Sequence, residues 1–156
     1  MECGTDIDKT NRYGGTPLFE ACKSGQEAIV KYLVEHGADI HKTNEEGVTP
    51  LFEACKSGKE VIVKYLVECG ADIDKTNRYG CTPLFNTCRG GTVDIVKCLI
   101  QLGADIYKKS DHGFTPLDNA RKNGNKAVVH YLVEYEAERS RASVEKLFNV
   151  ISQVKM

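Results

Sequence analysis

The hydrophobic residues of this chain recur in short blocks that have the spacing of a helix. The clearest block places four apolar side chains on one helical face, Ile29, Val30, Leu33 and Val34. The block ends just before Gly37, a residue type that commonly follows a helix. The pattern therefore predicts short amphipathic helices separated by sharp breaks.

Two sequence markers repeat along the chain with a period of 33 residues. The first marker is Thr-Pro-Leu, and it occurs at residues 16–18, 49–51, 82–84 and 115–117. The second is Gly-Ala-Asp-Ile, and it occurs at residues 37–40, 70–73 and 103–106, with the variant Gly-Thr-Asp-Ile at residues 4–7. Two markers in constant phase indicate an internal structural repeat.

Each repeat reads as a first helix, a tight turn, a second helix and an extended hairpin-like loop. The threonine hydroxyl can accept a bond from an unpaired backbone amide at the helix start, where proline needs no amide. A glycine about two turns later suits the left-handed residue that ends a helix. These glycines are Gly25, Gly58, Gly91 and Gly124.

The period, the Thr-Pro-Leu helix start and the Gly-Ala-Asp link resemble the ankyrin repeat, and the resemblance covers nearly the whole chain. It implies an all-α ankyrin-repeat solenoid with short hairpin loops, forming a single domain over residues 1–156. We predict about four stacked helix-turn-helix repeats, at residues 11–43, 44–76, 77–109 and 110–137.

Two residue choices depart from the usual ankyrin pattern. Phenylalanine follows Thr-Pro-Leu where the family commonly has histidine, so we expect packing to replace a hydrogen bond at Phe19, Phe52 and Phe85. Cysteine stands at the place of a family alanine, in a tight seam between repeats, at Cys22, Cys55 and Cys88. Neither change suggests a catalytic role.

The front of the repeat array has no polar cap in the sequence, because the first unit reads almost like the second. Residues 2–11 also match residues 68–77 in all but one position, so residues 1–10 resemble the remnant of a preceding repeat. We expect the chain to continue a longer array, or its front face to self-associate with a second copy.

The last unit is terminal in character, because Glu136 replaces the link glycine and Arg121 replaces the core cysteine. Beyond it, residues 138–156 are predicted to form a C-terminal capping helix. Its apolar face consists of Val144, Leu147, Phe148, Ile151 and Val154. An alternative reading makes this amphipathic helix a separate docking motif.

The resemblance also implies where a partner would bind. In ankyrin repeats the hairpin tips and the exposed side of the first helices line a concave groove that receives partner proteins. The positions of this chain that map there and vary between units form our candidate site. They are Arg12, Tyr13, Lys23, Glu45, Glu46, Lys56, Arg78, Tyr79, Arg89, Asp111, His112 and Lys122, with Gly15, Ser24, Val48, Ser57, Cys81 and Phe114 beside them.

Within this set a basic residue recurs at one repeat position, at Lys23, Lys56, Arg89 and Lys122. We expect a basic column along the groove, joined by Arg12 and Arg78 and complementary to an acidic patch. The alternative is a charge copied by duplication that only keeps the helix face solvated. Tyr13 and Tyr79 are the candidate anchor residues.

The composition points to no cofactor, metal or catalytic site. A net charge of -1 gives no general attraction for nucleic acid or anionic membranes. The seven cysteines form no Cys-x-x-Cys pair, and the chain shows no signal-peptide pattern and no membrane span, so we expect an intracellular, cytoplasmic setting with reduced thiols.

Ser110, Asp111 and His112 are adjacent on one hairpin, which does not suit a catalytic triad. Cys81 is the single candidate for a reactive thiol.

These observations predict a non-catalytic module or scaffold that binds a partner protein through the concave face. The alternative is a structural spacer within a longer ankyrin array, without a dedicated ligand. Near-identity of the first three units favours the spacer, whereas variation at residues 13, 46, 79 and 112 favours recognition. Nucleic-acid binding through the basic column is a weaker third hypothesis.

Overall fold

The computed structural model describes residues 6–154, and within this range the chain forms helices and loops without a strand. The residues predicted as a repeat remnant are therefore described only from Asp6 onward. The helices are α1 (Pro17–Lys23), α2 (Glu27–Glu35), α3 (Pro50–Ser57), α4 (Glu60–Glu68), α5 (Pro83–Gly90), α6 (Val93–Gln101), α7 (Pro116–Lys122) and α8 (Lys126–Val154). The predicted all-α class is confirmed.

The helices form two layers. The first helices of the pairs, α1, α3, α5 and α7, pack side by side, and the second helices, α2, α4, α6 and α8, form the other layer. One helix pair begins in each predicted unit, and α8 continues beyond the last unit, while the unit boundaries themselves stay a prediction. The two layers build a helical solenoid in which each pair contacts its neighbours along the chain.

The core lies between the layers and runs the length of the stack. Leu18, Leu51 and Leu84 are fully buried at the start of the first helices, and the second helices contribute Ile62 and Ile95. The unusual phenylalanines and cysteines are also buried, at Phe19, Phe52, Phe85, Cys22, Cys55 and Cys88. The phenylalanines are therefore packed in the core, as expected, and the cysteines are buried with them.

Threonine caps most of the first helices as predicted. The Thr16 hydroxyl accepts a bond of 3.2 Å from the Phe19 amide, and the Thr82 hydroxyl accepts one of 3.1 Å from the Phe85 amide. Thr49 differs, because its buried hydroxyl has no hydrogen-bond partner among the described residues. Among the first helices, α3 is thus the one that lacks a side-chain cap at its start.

The predicted left-handed glycines are present at three of four helix ends, with φ of 66°, 73° and 69° at Gly25, Gly58 and Gly124. Gly91 is a correction, because its φ is -79°. Gly90 is the last residue of α5, and the Gly91 amide donates to the Thr87 carbonyl at 2.7 Å. A Cβ at position 91 would lie 2.6 Å from that carbonyl oxygen, so close approach is what requires glycine there.

Aspartate side chains link some neighbouring units through their loops. The Asp8 carboxylate accepts a 3.0 Å bond from the Asp39 amide, and Lys42 Nζ donates to the Asp8 carbonyl at 3.1 Å. The same arrangement recurs two repeats later, with Asp74, Asp105 and Lys108 in the equivalent places. Asp8 therefore occupies the position that the loop of a preceding unit holds inside the stack.

The predicted C-terminal capping helix requires correction. Residues 138–153 are helical, but they continue α8 without a break and do not fold back over the last repeat. The apolar side chains that were expected to cover the stack are exposed, with Leu147 at 63% and Phe148 at 71%. No glycine or proline interrupts residues 126–154, so the chain has no residue suited to a turn that would return the helix.

The first helix of the fourth pair, α7, has a reciprocal cap at its start. This cap predicts that the stability of the protein depends on pH. The Asp118 carboxylate accepts bonds from the Thr115 amide at 2.9 Å and from its hydroxyl at 2.8 Å. These bonds lower the pKa of Asp118, the backbone bond contributing most. A lowered folded-state pKa means that the stabilisation is present above the ordinary aspartate pKa and is lost as pH falls through the folded value.

We expect Asp118→Ala to lower the free energy of unfolding by about 0.5–1 kcal/mol at pH 7, because a capping acceptor is removed. The difference between the two chains should shrink as pH falls below about 4. Urea unfolding followed by circular dichroism from neutral to acidic pH measures it. A difference that stays constant down to acidic pH would contradict a role for the charged carboxylate.

Candidate functional site

The four hairpin tips lie side by side and are joined by backbone hydrogen bonds. We call residues 12–15, 45–48, 78–81 and 111–114 the tip row. The amides of Glu45, Arg78 and Asp111 donate to the carbonyls of Tyr13, Glu46 and Tyr79, at 3.4, 3.0 and 3.1 Å. One bond thus joins each tip to the next, and the row forms a continuous, ordered edge.

Asparagine side chains stiffen three of the tips from inside. Asn11 Oδ1 accepts bonds from the amides of Tyr13 and Gly15, at 2.9 and 3.0 Å. Asn44 and Asn77 make the equivalent pairs of bonds in the next two tips. These bonds hold the backbone of each turn in one conformation, so the variable side chains leave the turns in fixed directions.

Two arginine–tyrosine pairs stand on the tip row. The Arg12 guanidinium lies 4.7 Å from the ring centroid of Tyr13, and that of Arg78 lies 4.8 Å from the ring centroid of Tyr79. Tyr13 is 59% exposed even with its arginine stacked on it. The stacking orients both rings on the surface, and it leaves large aromatic faces open to a partner.

Charge alternates along the tip row. The first tip carries Arg12, the second Glu45 and Glu46, the third Arg78, and the fourth Asp111. Arg78 Nη2 lies 3.2 Å from Glu46 Oε1, so the third tip is paired with the second. Arg78 therefore does not join the predicted basic column as an unpaired cation.

The residues of the predicted basic column lie at equivalent places near the ends of the first helices. Lys23, Lys56, Arg89 and Lys122 are all exposed, and each lies in the last turn of its helix. A cation at this position is favourable for the helix dipole, which gives the column a structural role besides any recognition. Lys23 is further paired with Glu20 at 3.8 Å.

Phe114 is a surface aromatic that sequence reasoning treated only as a lining residue. It is exposed on the fourth tip, and Lys122 Nζ lies 5.2 Å from the centroid of its ring. The position is variable between units, with Gly15, Val48 and Cys81 as equivalents. An aromatic residue at a position that varies between units is the sequence signal that makes it a further candidate. His112 is exposed beside it.

The described residues show no arrangement for nucleophilic catalysis in the tip row. Ser110 is buried, Asp111 and His112 are exposed, and no side-chain hydrogen bond links the three. Burial, and secondarily the charge of Asp111, raises the pKa of the Cys81 thiol, which lowers its reactivity. No group of three or more potential metal ligands occurs within residues 6–154.

Comparison with known proteins identifies the repeat. A family model for ankyrin repeats in three copies matches residues 1–77 and residues 62–142. A search of curated proteins finds no significant match to the chain. Across the described part of the chain, no helix is both long and apolar enough to cross a membrane.

Two glycines of the tip row both have positive φ, but we expect them to differ in how much stability is lost when alanine replaces them. Gly80 has a φ of 69°, and a Cβ there would lie 2.7 Å from the Asp111 amide nitrogen. Gly113 has a φ of 80°, but no atom lies within 4 Å of a Cβ built there. Only Gly80 is therefore constrained by the neighbouring tip as well as by its own backbone.

We expect Gly113→Ala to cost about 1 kcal/mol of unfolding free energy, from backbone strain alone. Gly80→Ala should cost clearly more, by about 1–2 kcal/mol, because it also separates the third and fourth tips. Urea unfolding of both variants measures the contrast. Equal losses would mean that the bond between the tips contributes nothing.

Proposed function

We propose that this chain, which belongs to the ankyrin-repeat family, binds a partner protein through the tip row and the adjoining exposed ends of α1, α3, α5 and α7. Ankyrin repeats are generally protein-interaction modules. The observation that supports this surface most is the backbone-bonded tip row, which carries Tyr13, Tyr79 and Phe114 exposed at fixed positions.

Preorganised aromatic residues are a strong basis for recognition. Tyrosine buries a large area on binding and has few rotatable bonds to immobilise. The stacking of Arg12 on Tyr13 and of Arg78 on Tyr79 has already restricted these side chains before a partner arrives. Much of the ordering cost of binding is therefore met in the unbound protein.

The charges of the surface define the kind of partner. The basic column formed by Lys23, Lys56, Arg89 and Lys122 complements an acidic stripe on a protein. The alternating charges of the tip row add a requirement for register, because a shift by one repeat would place like charges together. The same alternation disfavours nucleic acid, since Glu45, Glu46 and Asp111 would face the phosphates.

The cysteines support an intracellular setting as part of this proposal. Cys22, Cys55, Cys88 and Cys98 are buried as free thiols in the core. Burial raises the pKa of Cys22 and of Cys88 to about 12, so both stay protonated and unreactive. Thiols of this kind are typical of proteins in a reducing compartment.

A second candidate function is a spacer within a longer stack, and the front face favours it. Ile29 is 46% exposed on α2, whereas its equivalents Ile62 and Ile95 on α4 and α6 are each 1% exposed. Tyr32, next to it, is also exposed. Together with the position of Asp8, this describes a surface suited to a preceding ankyrin unit, or to the front face of a second copy.

For the groove, the test is a pull-down from cell lysate with the intact chain and two variants, followed by affinity measurement on the captured protein. The site variant combines Tyr13→Ala, Arg78→Ala, Tyr79→Ala and Arg89→Ala. The control variant, Lys64→Ala with Lys97→Ala on α4 and α6, also removes two positive charges but leaves the groove intact.

We expect the site variant to bind at least about 30-fold more weakly, since aromatic and arginine anchors typically contribute 2 kcal/mol or more. The control should bind like the intact chain, and circular dichroism should show equal folding of all three. Identical capture by all three chains would contradict binding through the groove, and the spacer would then be the better-supported function.

The spacer candidate predicts that an added repeat stacks on the front face. In the extended chain, a copy of residues 44–76 replaces residues 1–10. We expect its urea midpoint to rise, and Ile29→Glu to cost more than about 2 kcal/mol there because the side chain becomes buried. In the original chain, where Ile29 is half exposed, the same substitution should cost much less. Equal costs in the two chains would show that the added repeat does not stack.

A further inference from the structure

The C-terminal half of α8 carries an apolar stripe that no other described residue covers. Val144, Leu147 and Ile151 are all exposed on it, with Phe148 and Val150 at its margins. The spacing of Val133, Ala137, Ser140, Val144, Leu147 and Ile151 alternates between four and three residues. This is the heptad spacing of a coiled coil, with residues 137, 144 and 151 at a positions and residues 140 and 147 at d positions.

The stripe faces away from the stack to which α8 belongs. Near its start α8 buries Val128 and Leu132 against the preceding repeat, whereas Val133 is exposed. At about 100° per residue, Val133, Val144 and Ile151 share one helical face, roughly opposite Val128. The face that α8 presents outward therefore continues from the end of the stack along the whole helix. Its own repeats do not reach it.

We propose that this stripe pairs with the same stripe of a second copy, forming a parallel two-stranded coiled coil. The core residues favour this occupant, because in parallel coiled coils β-branched residues at a, here Val144 and Ile151, together with leucine at d, here Leu147, favour two strands. A short pairing of this kind is usually limited by helix nucleation. Here residues 126–135 already nucleate the helix by packing on the stack.

The charges beside the stripe fit the parallel orientation. Glu136 and Arg141 flank it on opposite sides, at g and e positions. In a parallel pair each g residue lies beside the e residue five positions later on the partner helix, so Glu136 of each copy meets Arg141 of the other. Two attractive contacts form at the start of the coiled coil, related by the twofold axis.

Two other occupants of the stripe are less consistent with the chain. Folding back onto the last repeat would need a turn between Val133 and Val144, where the sequence is an unbroken helix without glycine or proline. A membrane surface would favour a uniformly basic polar face. The polar face here mixes both signs, with Glu138, Arg139, Glu145 and Lys146.

This proposal does not depend on the function of the groove. Pairing through α8 leaves the tip row free on each copy, so a dimer would display two grooves. A partner with two matching sites would then bind with added avidity.

Sedimentation velocity over a wide micromolar concentration range tests the pairing. The stripe variant is Leu147→Glu with Ile151→Glu, and the matched control is Asn149→Glu with Gln153→Glu. Both pairs add two negative charges four residues apart on the same two turns, but only the first lies on the stripe. We expect the intact chain and the control to dimerise alike, and the stripe variant to dimerise at least about tenfold more weakly.

A cysteine placed on the stripe tests the orientation. In a background with Cys3, Cys69 and Cys81 changed to serine, Ser140→Cys should form a disulfide-linked dimer on mild oxidation, because equivalent d positions meet in a parallel pair. The charge reversal Glu136→Lys should weaken the dimer, and adding Arg141→Glu should restore it. An antiparallel pair would give neither the disulfide nor the rescue.

Several results would overturn the proposal. The intact chain could stay monomeric at every concentration, as it would if the helix folded back. The dimer could survive in the stripe variant but be lost in Ile29→Glu, which would assign association to the front face. Monomers that bind anionic lipid vesicles through the stripe would instead assign it to a membrane surface.

Discussion

The structure depends on the fact that no helix pair of this chain can bury its own hydrophobic face. An isolated pair such as α3 and α4 is short, and its apolar residues point both inward and toward the neighbouring pairs. Burial of Ile62 and Ile95 is complete only because another pair lies against each of them. Stacking is therefore the source of stability, and the front face, which lacks a neighbour among the described residues, leaves Ile29 half exposed.

The same constraint determines where variation is tolerated. Positions that face a neighbouring pair repeat with little change, since the seam accepts only side chains of one shape. The tips meet through backbone atoms, as in the bond from the Arg78 amide to the Glu46 carbonyl, so their side chains are released from packing. An edge held by main-chain bonds combines a fixed geometry with free choice of sequence, which is what a recognition surface requires.

Much of the fold could be predicted because its signals are local. Threonine, proline and glycine at constant spacing define helix starts and ends without reference to the rest of the chain. The predictions that needed correction depend on more distant contacts. Gly91 ends α5 in an extended conformation because Thr87 lies against it. The hydroxyl of Thr49 has no hydrogen-bond partner in the part of the chain that the structure describes, although residues 49–58 are identical to residues 16–25.

The C-terminal helix shows a different limit of sequence reasoning. Its amphipathic pattern correctly indicates a helix with one apolar face, but the pattern contains no information about what that face contacts. The direction of the face follows from the phase between Leu132, which is buried in the stack, and Val144, which is not. That phase becomes meaningful only when α8 is known to be one unbroken helix.

The surface that we propose for binding could be mapped onto the sequence, but its charges could not be assigned one residue at a time. Arg78 was expected to extend a basic column, yet in the structure it pairs with Glu46 of the preceding unit while stacking on Tyr79 of its own. A residue on one tip thus acquires its electrostatic character from the tip beside it. Near-identical repeats can therefore present different surfaces, because a single exchange such as tyrosine to glutamate at position 46 changes the environment of the next unit as well as its own. Recognition through the proposed surface would therefore depend on adjacent pairs of repeats, and the partner that we propose would have to match at least two of them at once.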